Sequence, residues 1–194
     1  MKHTFKALLL TVVCIILLFN AKTIHNKAVT LIEKELYPFP DEYKGTVLQY
    51  SEEYNIPPEI ICAVINTESS FEPDARSSAG AMGMMQITED TFEWLQFKSG
   101  EEQPLEALYD YGINIRFGCY FLRLLYDEFG DWDTAFAAYN AGRTRVNGWL
   151  ENEKYSENGK LKNIPIKETD NYIRKVNRAS GIYKKHYFTE ASAE

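Results

Sequence analysis

The stretch IICAVINTESSF, Ile60 to Phe71, decides how the chain is read. Each helical residue turns about 100°, so Ile61, Val64, Ile65 and Glu68 share one face. A carboxylate therefore closes an apolar stripe. A carboxyl in that position loses hydration, and desolvation favours its neutral, protonated form. That is how a carboxyl becomes a proton donor near neutral pH. The plainer reading is that the helix ends here and Glu68 emerges into water; periodicity alone leaves both readings open.

Working outward, DEYKGTVLQYSEEYN places Tyr43, Val47, Tyr50 and Tyr54 at helical spacing and predicts a helix that Asn55 to Pro58 breaks. Pro57 and Pro58 suit the first turn of the next helix, where a missing N–H costs nothing. That helix runs to about Ser70. EPDARSSAGAMGMMQI is small, Gly-rich and irregular, and reads as a loop or a short β-hairpin around Ala81 to Ile87. TEDTFEWLQF predicts a helix capped by Thr88, with Asp90 in its first turn. Asn114 to Phe129 predicts a strong helix with Ile115, Cys119, Leu122 and Tyr126 on its buried face and Gly130 as its stop. DWDTAFAAYNAG predicts another, with Asp133 as N-cap and Gly142 as stop. RVNGWLENEKY reads as a short helix, SENGKLKNIP as loop, and KETDNYIRKVNRASGIYKKHYF as the last helix. The fold class is mainly α, and the Gly-rich segment is the one good place for a little β.

The chain of 194 residues suffices for one compact domain and a tail, and its 45% hydrophobic and 25% charged content is ordinary globular composition. A net charge of -7 argues against a nucleic-acid partner, which rewards a basic face. Cys14, Cys62 and Cys119 fit no zinc spacing; Cys62 and Cys119 read as small core residues, or as a disulfide in an exported chain. His3, His25 and His186 lie at the ends, away from every motif, so no metal site and no cofactor is expected.

The N-terminal MKHTFKALLLTVVCIILLFNAK sets Lys2 and Lys6 around the start of an apolar run from Ala7 to Phe19. The run is shorter than the roughly 20 residues that span a bilayer comfortably, but Phe5 and Ala21 extend it and Lys6 reaches toward the headgroups. No small-x-small cleavage site follows Phe19. Residues 1–21 are therefore expected to form an apolar helix acting as an uncleaved, single-pass signal-anchor in the cell membrane, with a cleaved signal peptide and secretion as the second choice. Residues 22–40 read as a polar stalk with a short helix, NKAVTLIEKELY, and residues 41–190 as the folded domain, on the extracytoplasmic side.

Three stretches, ESSFEPDARSSAGAMGMMQI, AAYNAG at Ala137 to Gly142 and IPIKETDNYI at Ile164 to Ile173, stand in an order and rough spacing that resemble the soluble lytic transglycosylase family, over about Tyr43 to Tyr187. The resemblance implies a lysozyme-like α+β domain, mostly helical and related to goose lysozyme, whose partner is the glycan strand of peptidoglycan. It implies that Glu68 is the sole catalytic acid. Ser77 or Ser78 falls where the family places a substrate-contacting serine; Ser77, directly after Arg76, is preferred. Met84, Met85 and Gln86 match a Gly-Leu-Met-Gln motif that lines the cleft, with methionine replacing leucine at nearly equal volume. Tyr139 and Asn140 match the Ala-Tyr-Asn-Ala-Gly motif, whose tyrosine hydroxyl points at the acid. Glu168 and Tyr172 match a late Glu-Thr…Tyr motif, in which the glutamate supports the cleft. Each has a plainer reading as well. Met82, Met84 and Met85 suit a core, Gln86 a turn, Tyr139 an ordinary packed ring, and Glu168 the first turn of a helix.

The chemistry implied is cleavage of the MurNAc-β-1,4-GlcNAc bond with a 1,6-anhydro-MurNAc end, Glu68 serving as acid and then base. Glycosidic cleavage commonly uses two carboxylates, and no compelling second one stands out: Glu72 and Asp74 lie in a Pro-containing loop, and Asp110 and Glu168 are distant in sequence. A lysozyme-type hydrolase and a non-catalytic glycan-binding scaffold are the alternatives.

Overall fold

Cap residues set most of the helix ends in the computed structural model, which describes residues 2–189 and the side chains from Phe19 onward. Helix α1 (Lys2–Leu36) is continuous. The stalk expected at 22–40 is thus helical through most of its length, because no Gly or Pro interrupts the chain before Pro38. Helix α2 (Asp41–Tyr54) begins with Asp41 and Glu42 in its first turn and ends at Asn55 in the left-handed region, φ 50°. Helix α3 (Pro58–Ser69) has a proline at its start and stops at Ser70, φ 55°. Thr88 caps α4 (Glu89–Ser99), accepting from the Thr91 N–H, and Asp110 caps α5 (Tyr111–Phe129), accepting from the Ile113 N–H. Gly130 ends α5 at φ 61°. A 3-10 turn at Leu105–Tyr109, unheralded by periodicity, leads into α5. Helices α6 (Trp132–Ala141) and α7 (Arg143–Leu150) meet at Gly142, and α8 (Lys167–Tyr187) closes the fold.

Several expectations need correction. The cap of α6 is Asp131, not Asp133: its Oδ2 accepts from the Thr134 N–H at 3.0 Å and from the Thr134 hydroxyl at 2.8 Å. The early start goes with the stacking of Trp132 on Tyr126 and Phe136, at 4.2 and 5.7 Å between centroids. Tyr126 accordingly lies half-buried under Trp132 rather than in the core. The antiparallel pair of strands, β1 (Ser156–Glu157) and β2 (Lys160–Leu161), falls in the segment read as loop. Its turn is Asn158-Gly159, both at positive φ, 52° and 75°, the backbone a tight hairpin favours. The Gly-rich segment makes only isolated bridges, Arg76 to Met82 and Met82 to Ile87.

The chain divides into two compact units, Met1–Pro38 and Phe39–Glu194. In the second, α3 runs through the core. Ile60 to Ile65 are all buried, and α3 packs most extensively on α8. Helix α5 packs between α2 and α6. Cys62 and Cys119 are free, fully buried thiols. Among the described residues no helix is long and apolar enough to cross a membrane. The apolar run that carries the anchor reading, apart from Phe19, lies outside the residues whose side chains are described.

Candidate active site

Glu68 is the second-last residue of α3, and the chain reverses sharply beyond it. Ser70 and Phe71 both take positive φ, 55° and 67°, an uncommon conformation for any side chain and an outlier for a ring. Phe71 holds the reversal because its ring is buried: it stacks on Tyr43 at 6.1 Å and lies 6.4 Å from Tyr183. Ser69 fastens the other side, its hydroxyl donating to the Met84 carbonyl at 2.8 Å. Glu68 is thus fixed by its neighbours on both sides in sequence.

The stripe Ile61, Val64, Ile65 that precedes Glu68 is fully buried, and Glu68 follows it into a partly buried position. The Tyr172 hydroxyl, from α8, donates to Glu68 Oε1 at 2.7 Å. Burial pushes the Glu68 carboxyl up to about 7, and the Tyr172 hydroxyl pulls it partly back. No other carboxylate contributes to that shift. Burial, then, and not a like charge nearby, makes Glu68 a proton reservoir at neutral pH. Burial and the nearby Glu68 carboxylate both hold the Tyr139 and Tyr172 phenols well above the usual tyrosine range, so both stay protonated donors.

The hydroxyl expected on the acid from Tyr139 is supplied by Tyr172. Tyr139 donates instead to the Met85 carbonyl, at 2.7 Å, and so supports the loop facing Glu68's neighbourhood. Met84 and Met85 are both 0% exposed. Their side chains belong to the core, which corrects the expectation that they line a cleft; their backbone groups accept from Ser69 and Tyr139. Gln86 turns the chain at φ 48°, and its amide donates to the carbonyls of Ala75 and Gly83 at 3.1 and 2.9 Å. The Ser77 hydroxyl accepts from the Ala81 N–H at 3.0 Å, closing the preceding turn, and leaves its own proton for another acceptor. Asn140 accepts from the Thr169 hydroxyl at 2.8 Å, linking α6 to α8. Glu168, next to Thr169, is exposed in the first turn of α8. There the helix dipole suits it, and the link from this turn to Asn140 is made by its neighbour Thr169.

Asn114 went unnoticed in the sequence. Fully buried on α5, it accepts from the Met85 N–H at 2.7 Å and donates to the carbonyls of Met82 and Leu108 at 3.0 and 2.9 Å. One side chain thereby satisfies three backbone groups of the irregular loop and its neighbour. The available signal was a polar residue one turn before the buried Gly118 and two before Leu122. Among the described residues no group of His, Cys, Asp or Glu side chains is placed to hold a metal ion.

Residues 45–162 match the family model described as Transglycosylase SLT domain. The soluble lytic murein transglycosylase of Escherichia coli (strain K12) is 32% identical over 153 residues, 75% of this chain and 23% of that protein. The membrane-bound lytic murein transglycosylase C of Actinobacillus pleuropneumoniae serotype 5b (strain L20) is 26% identical over 188 residues, 84% of this chain and 52% of that protein. The crystal structure of the 70 kDa soluble lytic transglycosylase from Escherichia coli superposes with a TM-score of 0.70 at 28% identity, covering 79% of this chain and 25% of that one. The chain thus spans about a quarter to a half of the length of these relatives.

Proposed function

Because the chain belongs to the Transglycosylase SLT domain family, we propose that it is a membrane-tethered lytic transglycosylase of peptidoglycan that cuts the MurNAc-β-1,4-GlcNAc bond and leaves a 1,6-anhydro-MurNAc end. The observation that carries this reading is the state of Glu68: a carboxyl pushed up to about 7 by burial and oriented by the Tyr172 hydroxyl. Protonated, it gives its proton to the glycosidic oxygen as the bond to the muramic C1 breaks, and the N-acetylglucosamine leaves as an alcohol. Positive charge gathers at C1, as an oxocarbenium-like or acetamido-assisted centre. Glu68, now a carboxylate, takes the proton of the sugar's C6 hydroxyl while that oxygen bonds to C1. The acid is restored and no water is consumed. The nucleophile belongs to the substrate, so its effective concentration is high, and a second protein carboxylate is not needed.

Ser77 and Gln86, both partly exposed, and Asn140 are the substrate contacts in this reading. Tyr139 and Tyr172 act through the loop carbonyl and the acid. Met84 and Met85 contribute the backbone that positions them. The tether rests on the apolar run Ala7–Phe19 and on α1, a helix of 35 residues, roughly 50 Å long. The membrane-bound relative is in keeping with it.

Mass analysis of sugars released from purified peptidoglycan by the full chain tests the assignment. Anhydro ends that disappear in Glu68→Gln support it. Reducing ends favour the lysozyme-type hydrolase, and glycan binding without any cleavage favours a scaffold.

A further inference from the structure

Phe71 holds the reversal behind Glu68, and one of the rings that hold Phe71 comes from outside the family domain. Phe39 is the first residue of the second compact unit and precedes residues 45–162, which match the family model. Pro38 and Pro40 flank it and restrict the backbone where the chain enters the fold. Phe39 is 8% exposed. Its ring lies 6.4 Å from Phe71, 5.8 Å from Tyr187, edge-on, and 5.5 Å from Phe188. The Lys44 ammonium stands over it at 5.6 Å. Phe39 therefore bridges two elements. One is the turn that follows α3 and Glu68; the other is the C-terminal end of α8, the helix that carries Tyr172.

A bulky residue in the left-handed region is strained, and it persists only where its surroundings over-determine it. Phe71, at φ 67°, is such a residue, three positions after Glu68. Three rings hold it: Tyr43 stacks on it at 6.1 Å, and Tyr183 and Phe39 each lie 6.4 Å away. Taking away the Phe39 ring opens a space on one side of Phe71. The turn can then relax into that space, and Glu68 moves with it toward water. We propose that Phe39 is a positioning residue for the acid: through Phe71 it keeps the turn behind Glu68 closed, and so keeps the carboxyl on the Tyr172 hydroxyl and away from solvent. The inference rests on the functional reading above and deepens it. Phe39 is none of the residues assigned to the glycan, so it acts on turnover and not on substrate binding.

The test uses the full chain and follows the Glu68 carboxyl by carbon-13 NMR titration. Tyr172 on α8 and Tyr139 on α6 are the titratable groups near it, and both stay protonated through neutral pH, so a midpoint in that range belongs to Glu68. Phe39→Ala is expected to lower the midpoint by about one pH unit relative to the wild type. With it, kcat for release of anhydro ends falls about fivefold at pH 7 but less than about twofold at pH 5, at unchanged KM. Phe39→Leu, which refills most of the space, is expected to keep the midpoint of the wild type. A ring that only stabilised the fold would lower the melting temperature and leave the midpoint in place. An unmoved midpoint in Phe39→Ala, or kcat lost equally at both pH values, overturns the proposal. Where Phe39→Ala does not fold, Phe188→Ala, which removes a half-buried ring packed on Phe39, is read in its place: its midpoint is expected to fall in the same direction, and an unmoved one overturns the proposal. Release of anhydro ends by the wild-type chain is scored separately. Its failure overturns the functional reading, while the titration, which needs no substrate, still decides the role of Phe39.

Discussion

Glu68 and Tyr172 have opposed effects on one proton. Burial stabilises the protonated acid, and the Tyr172 hydroxyl stabilises the carboxylate that forms once the proton is given away. Removing that donor in Tyr172→Phe therefore raises the Glu68 pKa further. The alkaline limb of the pH–rate profile is expected to move up by about one pH unit, the size of a hydrogen bond to a charged acceptor. A tyrosine that served only to pack would lower the rate without moving the limb. The stripe that Glu68 closes was legible in the sequence from four positions at helical spacing, which left the burial of its carboxyl open. The partner of that carboxyl was not legible. Tyr139 and Tyr172 are both plausible donors in one dimension, and only the packing of α8 on α3, across 104 residues of chain, selects Tyr172.

At the scale of elements, α5 carries the loop that faces the acid. Asn114 holds its backbone, and Gly118, one turn on, lets Met85 lie against the helix: a Cβ at Gly118 would collide with the Met85 side chain. Asn114→Ala leaves the buried Met85 N–H and the Leu108 carbonyl without this partner, while the Met82 carbonyl keeps the Ile87 N–H at 3.0 Å. It is expected to cost about 3 kcal/mol or more, read as a lower urea midpoint at unchanged slope; a loss under about 1 kcal/mol would show that the loop holds itself. Helix ends were readable from caps at Thr88 and Gly130, but α5 starts at Tyr111 behind the cap Asp110, three residues before the expected Asn114. The start of α6 was misplaced by two residues because either of two aspartates could cap it, and the stacking of Trp132 on Tyr126 and Phe136 goes with the cap at Asp131. The hairpin at Asn158-Gly159 carried an Asn-Gly turn signal, but its flanking strands of two residues each are too short to show alternation. Asn114 escaped notice because its partners lie as far as 32 residues away.

For the molecule as a whole, holding Glu68 out of water works against folding. The carboxyl binds its proton more tightly in the folded chain than at its ordinary value of 4.5, up to about 7. Between those values the folded state holds more protons than the unfolded one, so stability falls as pH rises through the window and levels off above it. Glu68→Gln, which does not titrate, is expected to be more stable than the wild type at pH 8 by up to about 3 kcal/mol, with the difference shrinking toward pH 4.5. Equal stability at pH 8 would mean that the carboxylate is already well solvated. The rate should follow the same proton, falling as pH rises past about 7. The most direct measurement is a carbon-13 NMR titration of the Glu68 side-chain carboxyl in the full chain. A midpoint near 7 is the result predicted here; a midpoint near 4.5 would leave the chain without its acid at neutral pH and contradict the account.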